Sequence, residues 1–154
     1  MGGRIVVGID GSGPSRAALS WALTRAISTR APLVVVHVIE HEDDRQAGES
    51  ALAAAVDAVR ASAPEVPLDA QLLAGAAPWT LTQFAQADDL LVVGTHKTGY
   101  VNGRVLGTRP LAIATGACCS VAVIPDAPSV RSGVIVGVAS FAASRAAIIA
   151  GARE

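Results

Sequence analysis

The chain has 154 residues, 51% of them hydrophobic and 3% aromatic, with a formal charge of −1. One aliphatic domain with a core large enough to fold unaided is the expectation. Near-neutral charge argues against nucleic acid or an anionic membrane surface as the main partner. The longest uncharged stretch, Pro110 to Pro125, is interrupted by Gly116 and falls short of the roughly 18 residues a spanning helix needs.

Arg4 to Ile9, RIVVGI, is a short β-branched run that predicts a buried strand. It follows Met1 to Gly3 so closely that no secretory leader is expected. Asp10 to Ser15 is a turn rich in helix-starting residues, with Ser12 or Ser15 as the cap. The helix it starts runs from Arg16 to about Thr29, with Ala18, Trp21, Ala22 and Ala26 at helical spacing. Pro32 to Ile39 predicts a second buried strand, and Glu40 to Arg45, EHEDDR, a solvated, mobile loop rather than a metal site. Ala47 to Ser62 reads as an alanine-rich helix ending before Pro64. Val66 to Leu73 is a weaker, alternating strand suited to a sheet edge. Trp79 to Gln86 predicts a short helix with Trp79 as a packing anchor.

Leu90 to Thr108, LLVVGTHKTGYVNGRVLGT, is the most informative stretch. An apolar strand leads into a loop holding Gly94, Gly99, Gly103 and Gly107, then into a helix from about Arg109 to Thr115. Thr108 is placed to cap that helix and Pro110 fits its first turn. Strand, glycine-rich loop and helix start together are a recipe for holding phosphate: backbone N–H groups approach the anion and the helix dipole favours it. Neither a P-loop nor a Gly-x-Gly-x-x-Gly fingerprint is present, since Tyr100 stands where the P-loop lysine belongs. Ser120 to Ile124 predicts a fifth strand.

Strands alternating with helices imply right-handed crossovers and a mainly parallel sheet. Ligands then sit beyond the carboxyl ends of the strands, at the switch point of the topology. Asp10, Val38 and Gly94 all fall at such ends. No catalytic set stands out. Asp10 is the one carboxylate at the expected site, His96 sits in the loop and His37 reads as a satisfied core histidine. Cys118 and Cys119 read as buried structural thiols in a reducing cytoplasm, since neighbours rarely pair and two thiols are too few for zinc.

After a linker at 127–132, residues 133–154 overlay Arg4 to Arg25 without a gap, Ser144-Arg145-Ala146-Ala147 falling on Ser15-Arg16-Ala17-Ala18. The expected organisation is one domain over 1–126 and the start of a second, incomplete copy over 133–154, as in the front part of a longer tandem protein.

Three stretches together resemble the universal stress protein family: IVVGIDGS at Ile5 to Ser12, VVVHVIE at Val34 to Glu40, and VVGTHKTGYVNGRVLGT followed by CCSVAVIP. The resemblance implies a five-stranded parallel α/β sheet of order 3-2-1-4-5 with helices on both faces, the adenine nucleotide alpha hydrolase-like fold. It implies a cytoplasmic stress-response protein that binds ATP or a related adenine nucleotide, with Mg or Mn alongside, and a homodimer or an intramolecular tandem partner. Gly8, Asp10 and Val38 would then contact the adenosine, and Gly94, Thr95, Gly107, Thr108 and Arg109 the phosphates. Nucleotide-binding members carry Gly, two residues, Gly, nine residues, then Gly and Ser or Thr. Gly94, Gly107 and Thr108 match, but Lys97, the chain's one lysine, replaces the second glycine. A lysine there either obstructs the phosphate or supplies a point charge to it. A binding module is therefore the leading reading. An interaction module that has lost ATP and a weak ATPase are the alternatives. A receiver domain is disfavoured because the third strand ends in Leu73-Ala74-Gly75, with no acceptor aspartate.

Overall fold

The computed structural model describes residues 3–95 and 108–126, together with Ile149. Strands β1 (Ile5–Ile9), β2 (Leu33–Ile39), β3 (Leu68–Ala74), β4 (Leu90–Gly94) and β5 (Ser120–Ile124) form one sheet of order β3-β2-β1-β4-β5. Every neighbouring pair is parallel. The expected strand order and edge position of β3 are both met. Helices α1 (Gly13–Thr29), α2 (Arg45–Ser62), α3 (Ala77–Phe84) and α4 (Thr108–Gly116) make the connections.

Residue alternation along β1 divides the core. Ile5, Val7 and Ile9 pack with Ala18, Ala22 and Ala26 of α1 and Ala55 and Val59 of α2. Val6 joins Val34, Val36, Leu91 and Val93 against Leu81 and Ile113 of α3 and α4. Both faces of β1 are thus buried, as a central parallel strand requires. Each fully buried valine contributes about 1.5–3 kcal/mol of transfer free energy.

Helix α1 meets the sheet through small residues, Ser15, Ala18, Ala22 and Ala26, so it lies close to it. Ser12 is its N-cap: the Ser15 N–H donates to Ser12 Oγ at 3.2 Å. The helix ends on Arg30, held at φ 56°, where a side chain strains the backbone by about 1–2 kcal/mol. Trp21, expected on the buried stripe, lies on the flank and is 37% exposed.

Three other expectations need correction. Trp79 is 68% exposed, so it anchors no core; it stands in the first turn of α3, where Leu81 faces inward instead. Cys118 is exposed and Cys119 half-buried, both free, because they lie on the bend that enters the edge strand β5. Burial pushes the Cys119 thiol up from its ordinary value. The EHEDDR segment is solvated as expected, but Glu42–Asp44 forms a 3-10 turn and Glu42 pairs with Arg45 at the start of α2. The repeat expected over 133–154 and the linker before it lie outside the described residues.

At the amino end of the sheet, Asp89 ties β4 to β1. Its carboxylate accepts from Arg4 N–H (3.0 Å), Arg4 Nε (3.2 Å), Arg4 Nη2 (2.7 Å) and Gln86 N–H (2.9 Å). Arg4 also lies over the Phe84 ring, 5.4 Å from its centroid.

Candidate functional site

The carboxyl ends of β1, β2 and β4 open into a cleft of about 460 Å³. That size falls within the ~300–1,000 Å³ typical of small-molecule sites. Its position follows from the topology. Beyond β1 the chain turns into α1 on one face, while β4 leads towards α4 on the other, so the connections diverge and leave a crevice.

Three strand ends form the floor: Gly8 to Asp10, Val36 to Glu40, and Val93 to Thr95. Ala47, Gly48 and Ala51 of α2 stand on one side; Leu81 of α3 and Arg109 and Ile113 of α4 stand on the other. Of the expected site residues, Gly8, Asp10, Val38, Gly94, Thr95 and Arg109 line this one cleft. Thr108 opens α4 as its first helical residue and is exposed beside the lining. Lys97 and Gly107, with His96, Gly99 and Gly103, lie outside the described residues.

Local chemistry fixes the β1 end. Asp10 Oδ1 accepts from the Ser12 N–H at 3.0 Å, and Gly11 takes φ +78°, which a glycine adopts without strain. Arg16 Nη1 donates to the Gly11 carbonyl at 2.8 Å. The Asp10 side chain therefore holds the turn and faces the cleft.

Gly94 is required for a reason the loop pattern did not suggest. A Cβ there would sit 2.5 Å from the Pro14 carbonyl carbon and oxygen and 2.8 Å from Ser15 N. Its bareness lets β4 end against the first turn of α1. Gly8 is looser: a Cβ would meet Leu81 Cδ1 at 3.0 Å, a side chain able to shift. Thr95 N–H donates to the Ile124 carbonyl at 2.9 Å, which carries the β4–β5 ladder to the rim.

Three lining features escaped the sequence reading. His37 is satisfied as expected, its Nδ1 lying 2.9 Å from the Ile9 carbonyl, but it is half-buried and forms part of the cleft. A carbonyl only accepts, so Nδ1 carries the proton. Gly48 lets α2 close on the floor, since a Cβ there would meet Ile39 Cγ2 at 2.8 Å and His37 Cδ2 at 2.9 Å. A lone glycine within an alanine-rich helix was the available signal. Glu40, read as loop charge, lines the cleft and its Oε1 lies 3.6 Å from Arg109 Nη2.

No cluster of three or more metal-ligating side chains occurs among the described residues, and no helix among them is long and apolar enough to cross a membrane.

An open five-stranded parallel sheet, wound on both faces and with its cleft at the switch point, defines an α/β domain of the adenine nucleotide alpha hydrolase-like type. The sequence model of the Universal stress protein family matches residues 1–125, and the chain belongs to that family. Universal stress protein Rv3134c of Mycobacterium tuberculosis is 35% identical over 133 residues, which cover 81% of this chain and 49% of that protein. Universal stress protein Rv2623 of the same organism is 29% identical over 168 residues, covering 93% and 56%. The chain thus spans about half the length of these curated relatives. Among solved structures, a universal stress protein in complex with cAMP is 26% identical with a TM-score of 0.65, covering 81% of this chain and 98% of that one. One from Archaeoglobus fulgidus is 22% identical with a TM-score of 0.70, covering 80% and 99%.

Proposed function

We propose that this domain is a stress-response module that binds an adenine nucleotide in the switch-point cleft and signals through occupancy. The observation that carries the reading is the convergence of Gly8, Asp10, Val38, Gly94, Thr95 and Arg109, from four separate chain segments, on one cleft of nucleotide size. The related structure in complex with cAMP supports the ligand class.

In this reading the apolar side chains of Val38, Leu81 and Ile113 and the backbone of Gly8 to Asp10 receive the adenosine. Gly94, Thr95 and Arg109 face the phosphates, joined by Lys97, Gly107 and Thr108 from the loop and helix start. Backbone N–H groups and one guanidinium suit phosphate oxygens by charge and by hydrogen bonding. ATP, with Mg or Mn, is the proposed physiological ligand. The protein's own residues bind and orient it.

A cytoplasmic setting, pairing through the edge strand β5, and a second unit beginning near residue 133 complete the proposal. The half-exposed apolar residues Val121, Ala122, Val123 and Ile124 support β5 as the pairing edge.

Isothermal titration with ATP, GTP and CTP, with and without Mg, tests the ligand. Heat from ATP that GTP and CTP do not reproduce is expected. No heat and no thermal shift at millimolar ATP would overturn the reading.

A further inference from the structure

We propose that Glu40 is a charge-selectivity residue: its ion pair with Arg109 bridges the mouth of the cleft, and an anionic ligand must displace it. This rests on the nucleotide reading above and adds which part of the ligand the cleft penalises.

The geometry is specific to the topology. Glu40 directly follows β2, and Arg109 is the second residue of α4, the helix between β4 and β5. In the sheet, β2 and β4 lie on opposite sides of β1. The 3.6 Å contact between Glu40 Oε1 and Arg109 Nη2 therefore joins the carboxyl end of β2 to the start of α4 across the mouth of the cleft. Both side chains line the cleft and both remain about half-exposed, so the pair spans a rim open to solvent.

The charge balance gives the bridge its consequence. Among the described residues, Arg109 is the one arginine or lysine in the lining, against the carboxylates of Asp10, Glu40 and Asp44. A phosphate that approaches Arg109 meets a guanidinium already partnered and a carboxylate beside it. It gains a charge-assisted contact with Arg109 at the expense of the 3.6 Å ion pair and is repelled by Glu40. The penalty grows with the number of phosphate charges near the rim and vanishes for a neutral nucleoside. Because the pair is exposed, the competition is modest and weakens with salt.

Glu40→Gln removes the charge and keeps the shape, at a solvent-facing position where folding is not at stake. Calorimetric titration of wild type and E40Q with adenosine, AMP, ATP and inorganic tripolyphosphate reads the effect. E40Q is expected to bind ATP about fivefold more tightly, AMP by a smaller factor and adenosine unchanged, with the gain shrinking in 0.5 M salt, as order-of-magnitude expectations for an exposed charge pair. Equal ATP affinity in the two proteins, or the same gain for adenosine, would overturn the proposal. If no nucleoside or nucleotide binds either protein, the nucleotide reading fails by itself. Tripolyphosphate, which needs no adenine recognition, then decides: tighter binding to E40Q supports the bridge, and equal binding overturns it.

Discussion

Removing the Asp89 carboxylate tests the packing that holds β1 beside β4, and with it the crevice at their far ends. Asp89 is 5% exposed and accepts the four hydrogen bonds from Arg4 and Gln86. In Asp89→Ala two backbone N–H groups and a guanidinium lose their acceptor together. Breaking a buried pair in this way costs about 3–5 kcal/mol. The Arg4 side chain keeps 32% of its surface in water and its place over Phe84, so the lower end, ~3 kcal/mol, is expected. For a chain of this length that lowers Tm by about 10 °C. Burial alone would raise the Asp89 pKa above the ordinary 3.8, but the Arg4 guanidinium and the two backbone N–H groups outweigh it and hold the value below. The stabilisation is therefore complete above the ordinary aspartate value and lost as pH falls through the lower folded one. Urea melts of wild type and D89A at neutral and acid pH provide the assay. The gap between them should narrow in acid. A difference under ~1 kcal/mol at pH 7 would refute the reasoning, because it would put the pair in the class of exposed ion pairs.

Gly94→Ala places a methyl against the Pro14 carbonyl and Ser15 N, so it should destabilise by about 1–3 kcal/mol even without ligand; a ligand-free melt equal to wild type would show that the glycine is kept for the ligand instead. Arg30→Gly relieves the φ 56° strain at an exposed helix end and should raise stability by up to ~1 kcal/mol, read as a higher urea midpoint. Trp79→Ala should change stability by no more than ~0.5 kcal/mol, since the ring is 68% exposed; a loss above 2 kcal/mol would restore it as an anchor. Arg109→Gln should weaken ATP more than adenosine by calorimetry, and equal losses would remove Arg109 from the phosphate side.

The parallel sheet and the cleft's location were legible because they follow from repeated local signals, whereas the strand order came with the family resemblance. Apolar runs at Ile5–Ile9, Leu33–Ile39 and Leu90–Gly94, each followed by turn residues, imply βαβ units, and those units put Asp10, Val38 and Gly94 at one edge of the sheet. Contacts between distant segments were not legible. Nothing in the local sequence says that Glu40 reaches Arg109, that Asp89 reaches back to Arg4, or that Gly94 is bare because Pro14 presses on it. Trp79 and Trp21 misled for a related reason. Helix α1 approaches the sheet on alanines and α3 through Leu81, and neither close contact leaves room for an indole.

Whether an adenine nucleotide occupies the switch-point cleft is read from amide chemical shifts on titration with ATP. The largest shifts are expected at Gly8, Asp10, Val38, Thr95 and Arg109, with Arg4 and Asp89 at the opposite end of the sheet unmoved. Shifts centred on Arg4, Asp89 or Cys118, or none at saturating nucleotide, would contradict that placement.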